Sequence, residues 1–205
     1  MQSKQEPNGG ALQDLCARVR RFVDEVAIPA ESPAIARDVA ALDRCVARLR
    51  VQAREAGLYA PQLPGEWGGL GLGWRGLAQV LEEAGRGFLG PAALNCAAPD
   101  QPNMLTLLRL GNPEQQERFL APLVQGAQRA CFAMTEPAPG AGSDPSMLRT
   151  RAERRGARWV LNGHKQFISG GVGADFALVL ARTDNGATLF LVPADTPGYR
   201  VVRDI

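Results

Sequence analysis

Histidine and lysine are nearly absent from this chain: His164 is the one histidine, and Lys4 and Lys165 are the only lysines. The four cysteines, Cys16, Cys45, Cys96 and Cys131, stand far apart with no CxxC pair. A zinc site needs a tighter ligand cluster than this, so no metal is expected. Reduced, buried thiols in a cytoplasmic protein are the expected state of these cysteines. Of the 23 basic residues 21 are arginine, scattered among 21 acids for a net charge of +2. That leaves no basic stripe for nucleic acid. Long apolar runs are lacking too, and none approaches the roughly 18 residues that span a bilayer. The first ten residues, MQSKQEPNGG, contain no apolar stretch of the signal-peptide kind and are expected to form a disordered tail. Glycine (23) and proline (15) are too few in 205 residues for a disordered or collagenous chain. With 45% hydrophobic and 21% charged residues, the chain reads as one large or two small globular domains.

The hydrophobic period changes near residue 128. Before it the spacing is helical: Leu12, Leu15, Val19, Phe22, Val23 and Val26 fall on one face. A second helix is predicted over about 36–56, with Val39, Leu42, Val46 and Leu49 inward and Gly57 as its stop. Further helices are predicted at about 74–86, 100–110 and 113–125. The last has Asn112 as cap, Pro113 in the first position and Gln115 to complete a capping box. After residue 128 the period is two. RACFAM, LRTRAERR, ARWVLNG, KQFIS, DFALVLART and TLFLVP read as short strands, the third entering a tight turn at Asn162-Gly163. A helical half followed by a β half excludes an alternating βαβ parallel sheet. The expected fold class is α+β, an all-helical domain over 11–128 followed by an incomplete antiparallel β-barrel-like domain over 129–205.

Gly69-Leu70-Gly71-Leu72-Gly73 resembles part of a dinucleotide fingerprint. That fingerprint requires a strand before it and an acid about 20 residues on. Pro64-Gly65-Glu66-Trp67 precedes it instead, so a nicotinamide site is not expected.

Two stretches carry candidate chemistry. Cys131-Phe132-Ala133-Met134-Thr135-Glu136-Pro137 runs an apolar strand into Gly140-Ala141-Gly142-Ser143-Asp144, whose small residues let backbone approach a ligand closely. Thr135 and Ser143 flank that loop with hydroxyls. Lys165-Gln166-Phe167-Ile168-Ser169-Gly170-Gly171 offers a planar aromatic, a hydroxyl and a flexible turn. Singly, the first reads more simply as a surface loop and the second as a buried hairpin Phe with a turn Ser.

Taken together and in order, FAMTEP, AGSD, LRT, WVLNGHKQFISGG and ADFALVLART resemble the acyl-CoA dehydrogenase family. The resemblance continues upstream through GLYAPQLPGEWGGLGL, NCAAPDQPNM and LGNPEQQERFLAPLVQG, nearly the whole chain from about residue 11. It implies FAD as cofactor. Phe132, Met134 and Thr135 would line the flavin, with Thr135 at the pyrimidine edge. Phe167-Ile168-Ser169 stands where that family carries Trp-Ile-Thr, an aromatic on the flavin and a hydroxyl near N5. Ser143 would lie at the mouth of the acyl-CoA site, although two more residues separate it from Thr135 than in the common TEPGAGSD form. His164 is read as a surface residue with no role as base.

The implied reaction is α,β-desaturation of an acyl-CoA thioester in fatty acid metabolism, with an electron-transfer flavoprotein-type acceptor and a homo-oligomer or complementing chain as partner. No acid here matches the family's catalytic base, and Glu136 belongs to the flavin-loop motif. That base, and the adenine end of the FAD site, are implied to belong to a C-terminal helical domain beyond Val201-Val202-Arg203-Asp204-Ile205. The chain is therefore expected to be catalytically incomplete alone. Two other readings stay open: a non-catalytic assembly module docking to a complete paralogue, and a flavin oxidase or monooxygenase on the same fold.

Overall fold

A computed structural model describes residues 9–32, 38–140 and 142–204. The chain divides into two compact units, Met1–Ala127 and Gln128–Ile205.

The first unit is helical. Helix α1 (Gly9–Phe22) buries Leu15, Val19 and Phe22, one turn apart, and runs on through a wide turn (Val23–Ala27) and a tight one (Ile28–Ala30). The helix takes in Gly9 and Gly10, which the sequence placed in the tail; residues 1–8 of that tail lie outside the described residues. Helix α2 (Val39–Glu55) starts where the Asp38 carboxylate accepts from the Ala41 amide at 3.0 Å. The first two residues predicted for it, 36 and 37, also lie outside the described residues. Its buried line is Cys45, Leu49 and Ala53. Leu42 and Val46 flank that line, and Val39, predicted inward, is exposed. Gly57 ends the helix at φ +66°, a left-handed conformation that suits glycine.

The Gly/Pro loop that follows leads to α3 (Trp74–Ala84) and is preceded by no strand. It is folded tightly on itself, Gly71 donating to the Leu63 carbonyl at 2.7 Å, and a Cβ at Gly69 would collide with the Leu63 and Ala60 carbonyls. These glycines serve close backbone packing. Helices α4 (Gly90–Ala93), α5 (Asp100–Leu110), α6 (Pro113–Gln115) and α7 (Ala121–Gln125) complete the unit, with a wide turn Gln116–Leu120 joining the last two. The Asn112–Gln115 capping box forms as predicted. Burial pushes the Cys96 thiol up to about 12, which leaves it unreactive.

The second unit is a five-stranded sheet: β1 (Ala130–Ala133), β2 (Arg151–Arg155), β3 (Arg158–Asn162), β4 (Phe176–Thr183) and β5 (Gly186–Pro193). Strand β4 is central. It pairs antiparallel with β5 along its length, parallel with β1 over Phe176 to Val179, and parallel with β2 at Arg182. The sheet is therefore mixed, where the sequence suggested an antiparallel one. Consecutive burial of Phe176, Ala177, Leu178 and Val179 is what a strand covered on both faces requires. The α+β organisation stands.

Two local expectations are corrected. KQFIS is not a strand but a loop, because its backbone turns left-handed at Phe167, φ +56°. The tight turn of the β2–β3 hairpin is Gly156-Ala157, where Gly156 takes φ +63°; Asn162-Gly163 instead leads out of β3 into that loop.

Candidate functional site

Strand β1 positions the first motif. Cys131 and Ala133 point into the core of the second unit, so Phe132 between them faces the other way and stays half-buried. At Met134 the chain leaves the sheet. Glu136 pairs with Gly142 across an antiparallel bridge, and Gly140 donates to the Pro137 carbonyl at 2.7 Å, closing the loop between them.

Glu136 is the junction of three segments. Its carboxylate accepts from the Arg149 amide at 2.7 Å, the Thr150 amide at 2.9 Å and the Lys165 ammonium at 2.8 Å. The ammonium also donates to the Met134 carbonyl at 2.9 Å, and the Gln166 amide to the Thr135 carbonyl at 2.9 Å. Both partners of the ion pair are sheltered, with 2% of the Glu136 side chain and 12% of the Lys165 side chain accessible. Burial by itself would raise the Glu136 carboxyl, but the Lys165 ammonium and the two amides overcome it and hold the group at about 2. Burial also lowers Lys165 from its ordinary value, an effect that Glu136 partly offsets.

These bonds set the two motifs side by side. Thr135 is half-buried, and among the described residues neither its hydroxyl nor that of Ser169 takes a hydrogen-bond partner. Phe167, read singly as a buried hairpin residue, is 67% exposed. Ile168 packs against the core around Cys131 and Ala177, which anchors the loop from beneath. Met134 is half-buried and contributes its carbonyl.

Ser143 is exposed, and among the described residues no hydrogen bond ties it to this cluster. Its neighbour Asp144 caps the turn Pro145–Met147 by accepting from the Ser146 amide at 2.9 Å. His164 is exposed and lines a cavity of about 200 Å³ with residues 137–140, Arg149 and Gly163. Sequence reasoning missed Lys165 as an organiser. Its signal was rarity, one of two lysines and placed just before the aromatic of the second motif.

The first unit has a larger depression, about 560 Å³, between α1 and α3. Two of its wall residues, Arg20 and Glu83, pair at 2.6 Å, and a third, Asp24, pairs at 3.1 Å with Arg86, which lies outside the lining. It contains none of the candidate motifs.

Comparison with known proteins gives the family. The model of the acyl-CoA dehydrogenase N-terminal domain matches residues 11–127, and that of the acyl-CoA dehydrogenase middle domain matches residues 131–205. Mouse acyl-CoA dehydrogenase family member 10 is 33% identical over 95% of this chain and 20% of its own length. Among solved structures, a glutaryl-CoA dehydrogenase from Mycobacterium smegmatis in complex with FADH2 superposes with a TM-score of 0.68 at 31% identity, covering 93% of this chain and 48% of that one. An acyl-CoA dehydrogenase from Bacillus anthracis complexed with FAD gives 0.70 at 26% identity, covering 95% and 33%. The chain spans well under two thirds of the curated relatives it matches, 20% to 40% of each of three. With both of its units matched in order, this chain belongs to the acyl-CoA dehydrogenase family.

Proposed function

We propose that this chain supplies the flavin-side wall of an FAD-dependent acyl-CoA dehydrogenase that desaturates an acyl-CoA thioester between Cα and Cβ. The observation that carries the reading is the pairing of Gln166 with Thr135, which sets hydroxyls without partners among the described residues and an exposed aromatic on adjacent loops. These residues suit an isoalloxazine, which is planar, apolar on its faces and rimmed by hydrogen-bonding atoms. FAD, when bound, supplies the hydride acceptor of the reaction. Phe167 offers a face for the ring. Thr135 and Ser169 offer hydroxyls to its edge, Phe132 and Met134 line it from β1, and Ile168 holds the loop in place. Ser143 is assigned to the mouth of the acyl-CoA site.

The α-proton requires a base held within hydrogen-bond distance of Cα. Glu136 is unsuited to that work, since its carboxylate is occupied by Lys165 and two amides and its pKa of about 2 makes it a weak base. We therefore place the base outside these 205 residues, on a further domain or a second chain, and expect no turnover without it. The electron acceptor is assigned to the electron-transfer flavoprotein class. The setting is assigned to fatty acid metabolism in the cytoplasm, a reducing compartment with which four cysteines outside any disulfide accord.

The test is flavin absorbance of the purified chain, with and without a family C-terminal helical domain supplied in trans. Yellow protein that bleaches with acyl-CoA only when both parts are present supports the reading. Colourless protein under both conditions sinks it.

A further inference from the structure

We propose that Lys165, acting through Glu136 and the Met134 carbonyl, is a positioning residue that fastens the two flavin-facing loops into one rigid surface. The inference rests on the flavin reading above and assigns work to two residues outside the contact set. A buried ion pair is weak evidence for stability, because apolar residues of similar volume often serve as well. What distinguishes this one is where it stands. One ammonium joins the exit of β1 at Met134 to a carboxylate that also gathers the amides at the entry to β2, and the next residue, Gln166, bonds Thr135.

Two residues beyond Lys165, Phe167 sits at φ +56° with its ring exposed. A bulky side chain persists in that backbone region only where its surroundings over-determine it. Lys165 fixes the loop on one side and Ile168, packed against the core, fixes it from beneath, and Phe167 between them presents the ring. Ordinary loop packing would put that ring inside. A site of this kind loses function when its supporting contacts leave it loose by even about an ångström.

The experiment uses the full chain under the condition in which wild type holds flavin. Lys165→Met keeps the apolar stem and removes the donors; Lys165→Arg keeps the cation in a planar fork. Leu189→Ala, half-buried in β5 opposite Leu180 of β4, is the control for lost stability alone. The readouts are FAD affinity of the folded protein, the position of the visible flavin bands, and amide hydrogen exchange at Gln166 without flavin. Lys165→Met is expected to weaken FAD binding by at least about tenfold, the scale on which removing a supporting contact acts. It should also shift the bands and expose the Gln166 amide, while Lys165→Arg recovers part of each and Leu189→Ala changes none. Lys165→Met matching wild type in affinity and in Gln166 exchange overturns the proposal. If Lys165→Met does not fold, Glu136→Gln and Lys165→Arg decide it, and wild-type values in both overturn it. Failure of the flavin reading looks different: wild type itself takes up no flavin, and this proposal falls with it.

Discussion

Glu136 Oε1 accepts from the Lys165 ammonium at 2.8 Å, and the same ammonium donates to the Met134 carbonyl at 2.9 Å. One lysine therefore ties its own loop to two residues that precede it by 31 and 29 positions, and the stability of that junction depends on the charge of both partners of the ion pair.

That charge dependence has a sign. The folded Glu136 carboxyl sits at about 2, below its ordinary 4.5, so between those values the unfolded chain binds more protons. The stabilisation is complete above about 4.5 and is lost as pH falls through 2. Its size is on the order of 3 kcal/mol. Urea unfolding at stepped pH should show wild type losing this increment relative to Glu136→Gln over that window. Parallel pH curves for the two proteins would contradict it.

Gly69 and Gly71 should differ sharply. A Cβ at Gly69 meets two backbone carbonyls, which cannot move aside, whereas at Gly71 the nearest atom is 4.0 Å away and only φ +65° is at issue. Gly69→Ala is expected to cost more than about 2 kcal/mol, as core overpacking does. Gly71→Ala should cost about 1 kcal/mol, the penalty of left-handed backbone. Thermal melts of the first unit's transition would settle the ranking.

At Phe167, function and stability are expected to oppose each other. Phe167→Gly relieves the left-handed backbone and sacrifices little buried area, so unfolding free energy should rise by up to about 1 kcal/mol. The same substitution removes the ring face and should weaken flavin retention. Denaturant titration paired with flavin fluorescence measures both in one sample, and a variant that loses stability while keeping its flavin would be the opposite result.

Thr135→Val keeps the shape of a half-buried side chain whose hydroxyl has no partner among the described residues. Stability should change by less than about 1 kcal/mol. The visible flavin bands should shift, because the group offered to the ring edge is gone. Unchanged bands would remove Thr135 from the flavin contact set.

The capping box at Asn112 offers a test independent of flavin. Asn112→Ala removes the acceptor of the Gln115 amide, bonded at 2.8 Å, and is expected to cost about 1 kcal/mol in chemical unfolding.

Local chemistry was legible in the residues wherever one element decides its own shape. The capping box at Asn112, the helix stop at Gly57 and the burial of β4 each follow from spacing and residue type over a few positions. Polarity misplaced the start of α1, since Gly9 and Gly10 join a helix held by the apolar face further on. Alternation read KQFIS as a strand because Phe and Ile have strand preferences. The loop is shaped instead by bonds from Lys165 and Gln166 to residues of the first motif.

The sequence by itself determined the order of a helical half and a β half and, through motifs in series, the family. The parallel pairing of β1 with β4, the left-handed backbone at Phe167 and the meeting of Glu136 with Lys165 were decided only by tertiary structure. Each joins segments distant in the chain, and no local pattern encodes a partner that must first be brought alongside.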